Sequence, residues 1–128
     1  MRSVRYGTMG GMVPATPAPA NEPAHRLTDH ADAVLAVVER IPEGRVLTYG
    51  DIAGVVGQGG PRQVGSVLAR YGGAVPWWRV VRADGRPAAG HERRALAAYH
   101  AEGTPLRPGW AEGTIRVDLR DARWADPR

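Results

Sequence analysis

Two short helix-forming segments with a glycine-rich break between them constrain the fold of this 128-residue chain more than any other feature. In the first segment, VLTYGDIAGVVG, Thr48 is followed three residues later by Asp51, which is the spacing of a capping box at a helix N-terminus. The apolar stripe of this helix comprises Ile52, Val55 and Val56. The sequence GQGG, from Gly57 to Gly60, then ends the helix.

The second segment, PRQVGSVLARYG, predicts a helix that opens on Pro61 and stops at Gly72. Its inward face comprises Val64, Val67, Leu68 and Tyr71. Its outer, polar face comprises Arg62, Ser66 and Arg70. Two such helices joined by a tight turn are typical of a helix-turn-helix, whose second helix contacts DNA. The alternative is that two amphipathic helices simply pack into a small bundle.

Gly65 lies inside this second helix, where glycine costs about 1 kcal/mol relative to alanine. The cost is easier to explain if the helix must come close to another backbone, either of the protein or of DNA. Gly65 therefore indicates a close approach on this helix without saying which partner makes it.

Helices are also predicted on both sides of the pair. The first is capped by Thr28 or Asp29 and ends before Pro42 and Gly44. Its buried face comprises Val34, Val37, Val38 and Ile41. The last helix lies in GHERRALAAYHAEG and ends at Gly103.

Strand signals are shorter. The stretch AVPWWRVVR predicts a strand, and the Asp84-Gly85 turn after it is of the kind that reverses a strand, as in a wing beside a helix-turn-helix. A second short strand is predicted where apolar residues alternate at Ile115, Val117 and Leu119. We therefore expect a mainly α, winged helix-turn-helix-like domain over residues 28–128, preceded by a disordered Pro/Ala/Gly-rich tail over residues 1–27.

The composition favours nucleic acid as the partner. The net charge is +4, and all 17 basic residues are arginine, which suits forked contacts to phosphates and guanine edges. A GC-rich genome would also replace lysine by arginine, although it would not create the net charge. Because the chain has no cysteine, it has no disulfide, no thiolate metal site and no thiol nucleophile.

Other kinds of site are not indicated. The four histidines (His25, His30, His91 and His100) form no metal-ligand set, and GQGGP lacks the lysine of a phosphate-binding loop. We therefore expect no metal and no cofactor. With no signal-peptide core and no transmembrane run, the expected location is the cytoplasm, in association with the nucleoid.

Three segments in order, IPEGRVLTYGDIAGVVG, GPRQVGSVLAR and VPWWRVV, resemble the C-terminal DNA-binding domain of O6-alkylguanine-DNA alkyltransferases over about Ala33 to Arg107. In that family a PCHRV segment carries the acceptor cysteine. This chain has Trp77 at the cysteine position and Trp78 at the next, usually histidine. It therefore resembles the alkyltransferase-like proteins, in which tryptophan typically replaces cysteine and which bind alkylated DNA without repairing it.

The resemblance implies a lesion pocket formed by Pro76, Trp77, Trp78, Arg79 and Arg86. Trp77 would contact the alkyl group and the extruded base, while Trp78 either shapes the pocket wall or packs inward as a core residue. Arg79 would brace the loop. The family reads guanine with an arginine of the following loop. Because RPAAGHERR is shorter than the family's usual loop, Arg86, Arg93 and Arg94 are all candidates for that arginine, and Arg86 is preferred.

The resemblance also implies DNA-binding residues on the two helices. Arg62 matches the arginine finger that enters the stack where the base has left, and its alternative role is a phosphate clamp. Tyr49 matches the tyrosine that helps rotate the phosphate of the target nucleotide. Gly65, Ser66 and Arg70 are candidates for minor-groove or phosphate contact.

The function implied is a non-enzymatic sensor that binds duplex DNA containing O6-alkylguanine as a monomer, flips the lesion and flags it for nucleotide excision repair proteins. One alternative is a winged-helix transcription regulator, which should dimerise on a palindromic site. Another is an alkyltransferase that uses a different acceptor residue.

Overall fold

Five α-helices and two very short strands make up the part of the domain that the structure describes. The structure is a computed structural model that describes residues 23–108 and 114–127. In chain order the elements are α1 (Pro23–Arg40), β1 (Leu47–Thr48), α2 (Tyr49–Val56), α3 (Pro61–Tyr71), β2 (Val80–Val81), α4 (Glu92–Glu102) and α5 (Leu119–Ala122). The expected mainly α fold class is confirmed. None of the helices in these described ranges is long and apolar enough to cross a membrane.

The first helix starts earlier than its sequence signals predict. It begins at Pro23 rather than at Thr28 or Asp29. Proline is compatible with the first turn of a helix because its missing N–H has no partner there in any case. The predicted disordered tail therefore overlaps α1 over residues 23–27, and the rest of that tail, residues 1–22, lies outside the described residues.

Two apolar clusters share the interior. The first lies between α1, α2 and α3 and includes Val34, Val38, Ile41, Ile52, Val64 and Val67, as the periodicity predicts. The second lies beneath α4 and the C-terminal segment and includes Val46, Val81, Ala95, Tyr99, Ile115 and Val117. The strands connect them, because Leu47 and Val80 belong to the first cluster while Val81 belongs to the second.

The predicted helix-turn-helix is present as α2, a glycine turn and α3. The Thr48 hydroxyl accepts from Asp51 N (2.9 Å) while an Asp51 carboxylate oxygen accepts from Thr48 N (3.0 Å), which is the predicted capping box. Gly57 ends α2 in the left-handed conformation, and Pro61 opens α3. One detail was wrong: Tyr71 is 51% exposed rather than inward-facing, because α3 ends there and the chain turns away through Gly72–Ala74.

The segment after α3 does not form the strand and wing that the sequence predicts. Only Val80–Val81 is a strand, and it pairs in parallel with Leu47–Thr48, while Trp77–Arg79 form a 3₁₀ turn. The turn at Asp84-Gly85 is present, but Gly85 O accepts from Val117 N (2.8 Å), so the chain docks on the C-terminal segment instead of returning along β2. Glycine is required here: Gly85 has φ +91°, and a Cβ would lie 2.5 Å from Val117 O.

The predicted C-terminal strand is only partly formed. Ile115 and Val117 are buried as the alternation predicts, and Val117 makes a single antiparallel bridge with Leu106. The Asp118 side chain then accepts from Arg120 N (3.1 Å), which caps α5 and ends the extended stretch before Leu119.

Candidate nucleic-acid interface

The turn between α2 and α3 is held from behind by α1. The Nε2 atom of buried His30 lies 3.1 Å from Gln58 O, and the Gln63 side chain accepts from Gly60 N (2.8 Å). These contacts satisfy backbone groups that the tight turn leaves outside both helices. The orientation of α3 on α2 is therefore defined before any partner binds.

The outer face of α3 carries the side chains predicted to contact DNA. Arg62, Ser66 and Arg70 are all exposed along one side of the helix. At Gly65, the nearest heavy atom to an added Cβ would be Tyr49 Cε1 at 4.0 Å, which is ordinary van der Waals contact. No backbone atom of another described element lies within that distance, so packing inside the protein gives no reason for glycine at this position.

Tyr49 is the first residue of α2 and is half-buried against the core, with its ring edge near Gly65. Burial raises the pKa of its phenol, and the charge of Arg82 partly opposes that rise. The hydroxyl is therefore a neutral hydrogen-bond donor at physiological pH.

The two tryptophans lie directly after α3. Gly72 ends that helix, and a Cβ built on it would lie 3.8 Å from Trp77 Cβ, so the 3₁₀ turn that starts at Trp77 packs against the helix end. Pro76 precedes this turn as its N-cap residue. The two indoles meet edge to face, with ring centroids 5.6 Å apart and planes at 84°.

Two side chains around α4 reach the ring of Trp77. The guanidinium carbon of Arg94 lies 5.4 Å from the ring centroid, within the range of a cation–π contact, and the imidazole of His91 lies 5.5 Å away. Arg86 is elsewhere: its Nε lies 3.4 Å from an Asp84 carboxylate oxygen. Arg94, one of the three loop arginines proposed from the sequence, thus lies in contact with Trp77.

Hydrogen bonds hold Trp78 against α4. Its Nε1 donates to Glu102 Oε2 (2.8 Å), and its carbonyl accepts from the hydroxyl of Tyr99 (2.7 Å). Burial raises the pKa of Tyr99, so that hydroxyl remains a donor. Of the two roles considered for Trp78, these contacts favour the packed, supporting one.

Arg79 and Glu102 form a short, largely buried ion pair at the base of the site. Arg79 Nη2 donates to Glu102 Oε2 (2.6 Å) and Nη1 donates to Ile41 O (2.8 Å), which is the bracing role expected for this arginine. Glu102 also accepts from Gly44 N (3.1 Å). Burial alone would raise the pKa of Glu102, but the hydrogen bonds from Arg79, Gly44 and Trp78 outweigh it and lower that pKa.

Glu102 is a structural residue of this site that the sequence analysis did not single out. Its side chain is only 10% exposed. One signal was available: Glu102 is the last residue of α4, where the helix dipole disfavours a carboxylate. An acid at that position indicates a strong partner elsewhere in the fold.

Together these elements define a helix-turn-helix domain with a tryptophan turn packed against the end of its second helix. Residues 29–104 match the family model of the 6-O-methylguanine DNA methyltransferase DNA-binding domain. The chain therefore belongs to this family, and the resemblance predicted from the sequence is confirmed.

Relatives and solved structures agree with this assignment. The DNA base-flipping proteins of Escherichia coli (strain K12) and Shigella flexneri are each 36% identical over 114 residues, which cover 83% of this chain and 82% of the relative. The crystal structure of S. pombe Atl1 in complex with damaged DNA containing O6-carboxymethylguanine superimposes with a TM-score of 0.66 and 29% identity, covering 77% of this chain and 97% of that one.

Proposed function

We propose that this chain is a non-enzymatic sensor that binds duplex DNA through α3, extrudes an O6-alkylguanine and holds it against Trp77. The observation that carries the proposal is the position of Trp77 at the end of α3, with the guanidinium of Arg94 5.4 Å from its ring. A flat apolar ring with a cation beside it suits an alkylated purine.

Alkyl transfer is not part of the proposed activity. Trp77 stands where the family carries its acceptor cysteine, and the chain has no cysteine at all. Dealkylation needs a soft thiolate activated by a neighbouring base. Trp78, at the family's histidine position, cannot be that base, because an indole only donates and its N–H is already bonded to Glu102.

The energetics of extrusion support an aromatic site. Removing a base from the duplex costs a few kcal/mol, and less where alkylation has weakened its pairing. Stacking on an aromatic side chain returns roughly 1–3 kcal/mol. The names of the DNA base-flipping relatives, and the complex of S. pombe Atl1 with damaged DNA containing O6-carboxymethylguanine, support this inference.

The helices supply the DNA contacts in this proposal. Arg62 enters the vacated stack or clamps a phosphate, and Tyr49 donates to the phosphate of the target nucleotide. Gly65, Ser66 and Arg70 lie along the minor groove. Packing among the described residues gives no reason for a glycine at position 65, and this supports a close approach by DNA there.

Arg94 replaces Arg86 as the proposed guanine-reading arginine. Its guanidinium already lies by the ring of Trp77, whereas the side chain of Arg86 is paired with Asp84 on the preceding turn. A cation beside the extruded base can distinguish guanine from O6-alkylguanine, because alkylation changes the hydrogen bonding and the charge at the O6 edge of the base.

Downstream partners are inferred from the family resemblance: the bound lesion is passed to nucleotide excision repair proteins at the nucleoid. We propose that the chain acts as a monomer. In support, Tyr71 is the exposed large apolar side chain among the described residues, which leaves little apolar surface for self-association.

A paired titration tests the proposal. Two duplexes of identical sequence, one with O6-methylguanine and one with guanine, are titrated at a fixed salt concentration of about 0.15 M, since phosphate contacts dominate the background. We expect tighter binding of the modified duplex, with that preference reduced by Arg62→Ala or Tyr49→Phe. Equal affinity for the two duplexes would contradict lesion recognition, and a methyl group found on the protein by intact mass would contradict the non-enzymatic assignment.

A further inference from the structure

Tyr49 and Arg82 lie at the same end of the two-stranded sheet, each directly after its strand. In the parallel pairing, Leu47 lies opposite Val80 and Thr48 lies opposite Val81. The next residue of each strand is therefore Tyr49 on one side and Arg82 on the other, side by side at the carboxyl ends of the strands. The charge of Arg82 reaches the Tyr49 phenol, where it opposes the rise in pKa that burial causes.

The guanidinium of Arg82 is oriented by the protein but not neutralised by contact. Its Nε and Nη2 donate to the carbonyl of Pro87 (3.2 and 3.1 Å), and Arg82 itself is exposed. Both of these bonds go to one uncharged backbone carbonyl. A guanidinium has five N–H donors, so donors remain for an anion after the bonds to Pro87.

The surroundings of Arg82 are net positive. The pKa of Asp84 is lowered first by the hydrogen bond from Arg86 N and then by the charges of Arg86, Arg116 and Arg82. The charge of Arg82 also reaches the Glu92 carboxylate, so three guanidinium groups lie near two carboxylates, one of which already pairs with Arg86. Such a corner attracts an anion that is large enough to be held by several donors.

This corner adjoins the proposed DNA-binding helix, because Tyr49 Cε1 lies 4.0 Å from the Cβ position of Gly65 on α3. We propose that Arg82 and Tyr49 together bind one backbone phosphate of the duplex, with Arg82 supplying the charge and Tyr49 a neutral hydrogen bond. This inference rests on the proposed DNA binding by α3. It adds a contact from the end of β2 that the sequence pattern did not indicate.

The salt dependence of DNA binding tests Arg82. Affinities of the guanine and O6-methylguanine duplexes are measured by fluorescence anisotropy over a salt series for the wild type, Arg82→Gln, Arg82→Lys and a charge-matched control, Arg40→Gln. Arg40 lies at the end of α1 and donates to Pro127 O (2.9 Å). Losing one phosphate contact should reduce the slope of log affinity against log salt by about 0.9 and raise both Kd values roughly tenfold.

The controls separate this contact from a general loss of charge or fold. Arg82→Lys should retain most of the slope, and Arg40→Gln should keep the wild-type slope. If Arg82→Gln melts well below the wild type, Arg82→Met, which keeps the apolar stem, takes its place. If folded Arg82→Gln or Arg82→Met shows the same slope of log affinity against log salt as the wild type, the proposal is overturned.

A double-mutant cycle tests whether one phosphate is shared. If Tyr49 and Arg82 hold the same group, combining Tyr49→Phe with Arg82→Gln should raise the Kd less than the product of the two single effects. If the increase in Kd of the double variant equals the product of the two single increases, the two residues do not share one phosphate. Should the wild type bind both duplexes equally, lesion recognition fails, but the slope and the cycle still decide the role of Arg82.

Discussion

The indole N–H of Trp78 donates to Oε2 of Glu102 across 2.8 Å, and this bond ties the tryptophan turn to the end of α4. The same carboxylate accepts from Arg79 and from the backbone of Gly44, so three separate parts of the chain meet on it. The loop after α1, the Trp77–Arg79 turn and α4 therefore have fixed relative positions. Trp77 is held at the end of α3 by this arrangement rather than by local sequence alone.

Removing the carboxylate should destabilise the fold. Glu102→Ala leaves the largely buried guanidinium of Arg79 and the indole N–H of Trp78 without their acceptor, and we expect a loss of about 3 kcal/mol in the free energy of unfolding. Glu102→Gln keeps the volume and one acceptor oxygen, so its loss should be smaller. Urea denaturation measures both. Glu43→Ala, an exposed carboxylate in the neighbouring loop, is the control and should change stability by less than about 0.5 kcal/mol. A similarly small change for Glu102→Ala would contradict the role assigned to Glu102.

The same contact predicts a pH dependence. Because the pKa of Glu102 is lowered in the folded state, its ionised form stabilises the protein above the unfolded pKa of about 4.3, and that contribution is lost as the pH falls through the folded pKa. The stability difference between the wild type and Glu102→Gln should therefore be constant near neutral pH and shrink below about pH 4. Unfolding curves from pH 7 to about 3 test this. A difference that stays constant over the whole range would mean that the charge of Glu102 makes no contribution.

Local signals and long-range contacts account for what the sequence could and could not predict. The capping box of Thr48 and Asp51, Pro61 at the start of α3 and Gly103 at the end of α4 were predicted correctly, because each acts through neighbours within a few residues. The resemblance to the alkyltransferase family then singled out the tryptophan turn as part of the candidate site. That part of the site depends on residue order, which a sequence shows directly.

The errors concern partners that are distant in the chain. The parallel pairing of Val80 with Leu47 has no local signature, so the apolar stretch before Arg82 was interpreted as a longer strand with a wing. Glu102 was not singled out because its partners lie 23 or more residues away. The choice between Arg86 and Arg94 is of the same kind, since the position of α4, which brings Arg94 to Trp77, has no local signature in the sequence.

Substitution of Gly65 should have opposite effects on the stability of the fold and on DNA affinity. Gly65→Ala should raise the free energy of unfolding by up to about 1 kcal/mol, because alanine favours the helix and a Cβ has room beside Tyr49. If DNA approaches α3 closely, the same methyl group should weaken binding of both duplexes roughly tenfold. Gly54→Ala is the matched control: Gly54 is an exposed helix residue with open space at its Cβ, so stability should rise without a change in binding. Unchanged DNA affinity for Gly65→Ala would remove the argument for a close approach.

Removing the charge of Arg94 and removing that of Arg86 should affect lesion preference differently. Arg94→Gln removes the cation beside Trp77, so the ratio of affinities for the O6-methylguanine and guanine duplexes should fall roughly tenfold. Arg86→Gln removes the same charge from the Asp84 turn and should weaken both duplexes alike. Anisotropy titrations at one salt concentration give both ratios. If the ratio falls in Arg86→Gln and not in Arg94→Gln, Arg86 is the arginine that reads the guanine, as the sequence predicts.

Extrusion of the lesion is the central claim, and the fluorescence of 2-aminopurine placed next to O6-methylguanine measures it most directly, since this base brightens when its stacked neighbour leaves. We expect saturating protein to raise the signal of the modified duplex and to leave that of its guanine twin nearly unchanged. Trp77→Ala, which removes the ring that receives the base, should reduce the rise. A modified duplex that is fully bound and shows no increase in fluorescence would mean that the alkylated base remains stacked, and would contradict the account.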